Sequence, residues 1–112
     1  MNVTEETRGA LLVLRVHEPR LDAARAPALR EALIRHVEAG HDRIVLDLSG
    51  TSFMDSSGLG ALVSGLKRLG ARGTLAVAGS GGDVARLFKL TRMDRVFALH
   101  PDVESAVAQL EG

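Results

Sequence analysis

Cysteine is absent from the 112 residues, which removes disulfides, thiolate nucleophiles and Cys-ligated metal from consideration. Tryptophan and tyrosine are absent too, and three phenylalanines make no set of platforms on which unpaired bases could stack. Basic and acidic residues balance at fourteen each, so no long-range field draws in DNA, RNA or anionic lipid. Nowhere do roughly 18 apolar residues run together, and the opening MNVTEETRGA has neither a basic nor an apolar leader segment. The expectation is a cytoplasmic protein that binds no nucleic acid and does not insert into a membrane. There is neither a repeat nor a linker longer than a turn, and the length suits one hydrophobic core, so residues 1–112 are read as a single domain.

What is present alternates between strand and helix patterns after an opening hairpin. Ala10 to Val16 is a short apolar run suited to a central strand, and Asn2 to Thr7 is a weaker one that pairs with it through a turn near Arg8-Gly9. Beyond Asp22, read as an N-cap, Ala26, Leu29, Leu33 and Val37 recur at helical spacing up to Gly40. Arg43 to Leu48 is a strand. A second helix presents Leu59, Leu62, Val63, Leu66 and Leu69 on one stripe and stops at Gly70, with Gly65 read as a point of tight packing against the sheet. Thr74 to Ala78 reads as a strand, Gly79 to Asp83 as a loop ending in a cap for a helix with Val84, Leu87 and Phe88, Arg95 to Leu99 as the last strand, and Pro101 to Leu110 as a closing helix. This order predicts an α/β fold with a mixed, mostly parallel sheet of about four to five strands covered by about four helices.

The most informative stretch is FMDSSGLG at Phe53 to Gly60, which leads into the second helix. A helix start has backbone N–H groups without intrahelical partners and carries the positive end of the macrodipole. Asp55 or Ser56 is suited to cap it through a side-chain oxygen, and Gly58 and Gly60 remove Cβ bulk, so that a large partner could approach the backbone. A hydroxyl at such a place can be charged covalently without unfolding anything.

Other chemistries fit less well. Asp47-Leu48-Ser49-Gly50-Thr51 mimics a DxDGT phosphatase signature, but Ser49 replaces the acid/base Asp. Asp47 is placed either at the functional end of the sheet or on a polar face. The glycine loop after Ala78 lacks the lysine and spacing of a phosphate cradle, GxSxG is absent around Ser56 and Ser57, and His17, His36, His41 and His100 show no metal-ligand spacing. The histidines are read as surface or half-buried imidazoles, Arg92 and Arg95 as surface salt-bridge partners. No catalytic residue, metal or cofactor is expected.

With its flanks, IVLDLSGTSFMDSSGLGALVSGLKRL resembles the STAS family, and within it the bacterial anti-sigma factor antagonists, whose recurring core is a strand ending in Asp-Leu followed by F-[MI]-D-S-S-G-L-G. The LLVLRV strand, the Leu21-Asp22 pair and RLFKLTRMDRVF at Arg86 to Phe97 follow in family order. The loop His17 to Asp22 is one residue longer than the family's and lacks its usual Gly. The resemblance implies a single, non-enzymatic STAS domain. Unphosphorylated, it would bind a serine kinase of histidine-kinase-like ATPase fold that is also an anti-sigma factor, freeing a sigma factor, and a separate serine phosphatase would reset it. It further implies Ser56 as phosphoacceptor, Ser57 as a cap or support of the helix start, and a docking patch of Asp22, Met54, Asp55, Ser57, Gly58, Leu59 and Gly60, apolar at its centre. The alternative is a STAS accessory subunit of a membrane transporter or signalling assembly that docks without phosphorylation; a third reading is a small phosphatase using Asp47.

Overall fold

Short apolar runs with no polar alternation are what a sheet covered on both faces requires, and the sheet here is covered on both. The computed structural model describes residues 1–111. Strands β1 (Val3–Arg8) and β2 (Leu11–Val16) form an antiparallel hairpin, and β4 (Arg43–Asp47), β6 (Thr74–Ala78) and β7 (Ala98–His100) add to it in parallel, in the order β1-β2-β4-β6-β7. The hairpin turn places Gly9 at φ +62°, where a side chain would be strained. Two further strands of two residues each, β3 (Arg20–Leu21) and β5 (Phe53–Met54), pair in parallel as a separate ribbon.

Helices α1 (Ala26–Glu38), α2 (Ser56–Leu69) and α3 (Gly82–Leu90) cover one face, where Leu12, Leu14, Ile44, Leu46 and Val77 meet Leu29, Leu33, Leu62, Val84 and Phe88. Helix α4 (Val103–Glu111) covers the other, burying Val103, Ala106 and Val107 on Leu11, Val13, Val45, Ala76 and Ala78. The expected architecture is therefore present, with the β3–β5 ribbon as an addition.

Several local expectations are corrected. Asp22 does not cap α1: Arg25 occupies the N-cap position with no side-chain bond, and the Asp22 carbonyl accepts the amides of Arg25 and Ala26 in a preceding turn. Asp83 does not cap α3, which begins from Gly81; Asp83 lies inside the first turn and pairs with Arg86 at 3.2 Å. The segment Met93–Arg95 is a 3-10 turn, and strand pairing begins only at Ala98, because Phe97 turns inward to meet Phe88 edge-on at 5.9 Å. Gly65 packs against α1 and not against the sheet: a Cβ there would lie 3.1 Å from Leu33 Cδ1. Arg92 and Arg95 form no ion pair among the described residues.

His36 is buried, at 9% exposure on the inner side of α1, and not a surface imidazole. Burial pushes its pKa below the ordinary value, against the pull of Glu5 3.4 Å away and with the help of the charges on His41 and Arg35. The unfolded chain then binds more protons than the folded one below about pH 6.5, so stability is lost as pH falls from that value toward the depressed folded one. The thermal midpoint should fall between pH 7 and roughly pH 5.5, above the carboxylate range, and His36→Gln should flatten that dependence. An equal slope in the variant would show that another group carries it.

Candidate functional site

The DSSG turn is positioned by a clamp between two loops. After β2 the chain runs through His17 to Pro19 into β3, and after β4 it runs through Ser49 to Ser52 into β5. The Pro19 carbonyl accepts the amides of Ser52 and Phe53, the Glu18 carbonyl accepts the Thr51 hydroxyl at 2.8 Å, and the Leu21 carbonyl accepts the Asp55 amide at 3.3 Å. Thr51 is buried, so its hydroxyl needs this partner. The guanidinium of Arg20 lies over the Phe53 ring at 4.1 Å and 3.6 Å from Asp22. Arg25 bridges Glu18 at 3.1 Å and Asp22 at 3.4 Å, while Glu18 also accepts the Asn2 amide at 2.9 Å. The Asn2 amide and Arg25 hold the Glu18 carboxyl below its ordinary range; for Asp22, burial pushes the other way but the charge of Arg25 prevails.

From this clamp the chain enters α2 at Ser56. Asp55 is the cap: its Oδ1 accepts the amides of Ser57 at 2.9 Å and Gly58 at 3.1 Å, and its carbonyl accepts that of Leu59. The choice between Asp55 and Ser56 as cap is settled for Asp55, and Ser57 contributes only its backbone N–H. Both serine side chains are exposed. The helix amides are thus not vacant, since a carboxylate already holds two of them.

The expected docking residues divide by burial. Ser56, Ser57 and Gly60 are exposed and Asp22 and Asp55 half-exposed. Met54 and Leu59, at 5% and 7% exposure, belong to the core, and they correct the idea of an apolar centre to the patch: their side chains shape it from beneath. Gly58 is buried, and the backbone approach that it permits is internal. A Cβ there would lie 2.3 Å from the Leu21 carbonyl oxygen and 3.0 Å from Met54 Cγ, whereas Gly60 has nothing within 4 Å of its Cβ position. Sequence reasoning missed Pro19, Leu21 and Arg25, which hold the turn through carbonyls and an ion pair. Backbone acceptors leave no residue-type signal, and a two-residue strand leaves no periodicity.

Asp47 lies at the end of β4, 8% exposed, paired with Arg15 at 3.1 Å and accepting the Ser49 amide at 3.0 Å. Its position is the sheet's C-terminal edge on the α4 face, and both its partners are structural. No group of three His, Asp or Glu suited to a metal occurs among the described residues, and none of their helices is long and apolar enough to cross a membrane.

A family model described as STAS domain matches residues 2–106. The chain belongs to the STAS domain family. A Staphylococcus epidermidis anti-sigma-B factor antagonist is 31% identical over 85 residues, 75% of this STAS chain and 79% of that protein. The crystal structure of an anti-sigma factor antagonist from Mycobacterium paratuberculosis superposes with a TM-score of 0.90 at 28% identity, covering 99% of the STAS chain and 94% of its own. A sulfate transporter family protein from Wolinella succinogenes shares the fold, with a TM-score of 0.79 at 14% identity over 95% of this chain and 88% of that one.

The two glycines of the STAS motif separate internal from external demands. Gly58→Ala should destabilise by about 1–3 kcal/mol, because the obstructing atom is a backbone carbonyl that cannot rotate away. Gly60→Ala should be neutral or stabilise by up to about 1 kcal/mol through helix propensity. Denaturant midpoints of the two variants give the comparison, and equal losses would refute the assignment of Gly58 to internal packing.

Proposed function

We propose that the protein is an anti-sigma factor antagonist switched by phosphorylation of Ser56. The observation that carries the reading is an exposed hydroxyl on the first residue of α2, next to a cap whose carboxylate already engages two amides of that turn. Similarity to antagonists over most of the chain supports the role. In the unphosphorylated state the exposed Ser56, Ser57 and Gly60, with the half-exposed Asp22 and Asp55, dock on a serine kinase that is also an anti-sigma factor, and the sigma factor is released.

The kinase transfers the γ-phosphoryl group of its own ATP to Ser56 Oγ, with loss of the hydroxyl proton and release of ADP. Roughly 1.5 to 2 negative charges are added at neutral pH. The amides of Ser57 and Gly58, which would otherwise receive a new anion, are committed to Asp55, so the phosphate stands beside a carboxylate and is not absorbed by the fold. Within an interface that charge must be desolvated or met by a cation, and an unmatched buried charge costs several kcal/mol. Each ~1.4 kcal/mol is a decade of affinity, so docking ends. A serine phosphatase restores the hydroxyl. This chain holds no ATP in the scheme and performs no catalysis.

Incubation with the kinase and ATP should add one phosphate to the wild type and none to Ser56→Ala, as read by intact mass. Ser56→Ala should keep its affinity for the kinase, and Ser56→Asp should lose at least about tenfold, a single carboxylate being a weaker charge than a phosphate. Phosphate gain in both proteins would move the acceptor to another hydroxyl. Kinase binding without any phosphate gain would favour a permanently docked STAS subunit.

A further inference from the structure

The face built by α1 and α2 carries a groove that the DSSG turn does not account for. Its upper section, about 830 Å³, begins beside Ser57 and Gly60 and is walled on the opposite side by Pro27, Arg30 and Glu31. Arg30 and Ser64 also line a lower section of about 310 Å³ with Lys67 and Arg68, so the groove continues from the start of α2 to its last turn. Helix α2 has 14 residues, which at 1.5 Å per residue gives a track of about 21 Å.

Four cations, Arg30, Arg35, Lys67 and Arg68, border this track and the hollow that adjoins it, against two carboxylates, Glu31 and Glu38. Along the groove and the adjoining hollow, which share Arg30 and Arg68, Arg68 is paired with Glu38, while Arg30, Arg35 and Lys67 on one side of the charge balance and Glu31 on the other are exposed and have no ion-pair partner among the described residues. On a chain of zero net charge, four cations against two carboxylates make a local positive potential with no global counterpart. We infer that this groove receives an acidic segment of the kinase partner, laid along α1 and α2 from the phosphorylation turn. The inference rests on the function proposed above. Glu31 and Glu38 stand among the cations and set like charge against a nucleic-acid backbone, so a protein segment with spaced carboxylates is the occupant that fits. A phosphate on Ser56, beside the groove's upper end, would repel the carboxylates of the same segment. The switch would thus act on two contacts at once.

The test is the dissociation constant for the kinase, measured at low and high salt, of wild type, Ser56→Asp, Arg30→Glu/Lys67→Glu and the neutral Arg30→Gln/Lys67→Gln, with melting curves as a check on folding. Charge reversal should weaken binding by about tenfold or more at low salt and flatten its salt dependence, with the neutral variant in between. If Ser56→Asp abolishes binding while both groove variants bind like wild type, the groove inference is overturned and the switch stands. Should the wild type bind no kinase, the proposed function fails and the inference with it. Groove variants that lose affinity for a DNA duplex or anionic vesicles, with kinase affinity intact, would assign the groove to those partners instead.

Discussion

The junction of two loops, in which the carbonyls of Pro19 and Leu21 accept amides from Ser52 to Asp55, governs everything that happens at the start of α2. These bonds exist because the two chain segments leaving adjacent parallel strands β2 and β4 run side by side, and parallel neighbours need paired backbone groups wherever they are shielded from water. Gly58 closes the arrangement by letting the first turn of α2 sit on Leu21. The cap, the exposed serines and the groove opening take their positions from this contact, so the site is held by main-chain geometry more than by any side chain.

The charge pattern follows a consistent logic. Around the clamp, acids and bases are matched: Glu18 and Asp22 share Arg25, and Arg20 lies between Asp22 and the Phe53 ring. Across the sheet, Glu6, Arg15 and Asp47 form a second matched set. Exposed pairs of this kind add little to stability, and their contribution is to hold loop geometry.

How legible this was in the sequence depends on the residues concerned. Strands β2, β4 and β6 announced themselves because burial on both faces demands uninterrupted apolar runs, and α2 because five apolar residues share one stripe. The ribbon of β3 and β5 did not, since a strand of two residues has no period to read. Caps at Asp22 and Asp83 were misassigned for a physical reason: an acidic residue before an apolar repeat has the same chemistry whether it caps, braces a turn or sits in the first turn, and only the backbone angles distinguish these. Gly58 and Gly60 are identical letters in one motif with opposite duties, one facing a carbonyl and the other facing open space. Motif resemblance located the site, but which of its members reach the surface was decided by packing that lies far away in the chain.

Both rims of the five-stranded sheet are open, and a protein with no net charge has little collective repulsion to keep its copies apart. The rim at β1 bears Glu5, Glu6 and Arg8 within six residues, and the rim at β7 is three residues long and is cut off by Pro101. Charge on one border and brevity on the other deny an incoming strand a template of useful length. Resistance to ladder-like aggregation is therefore invested in two short borders, and neutralising the acidic one would invite sheet-to-sheet growth before it cost any folding stability.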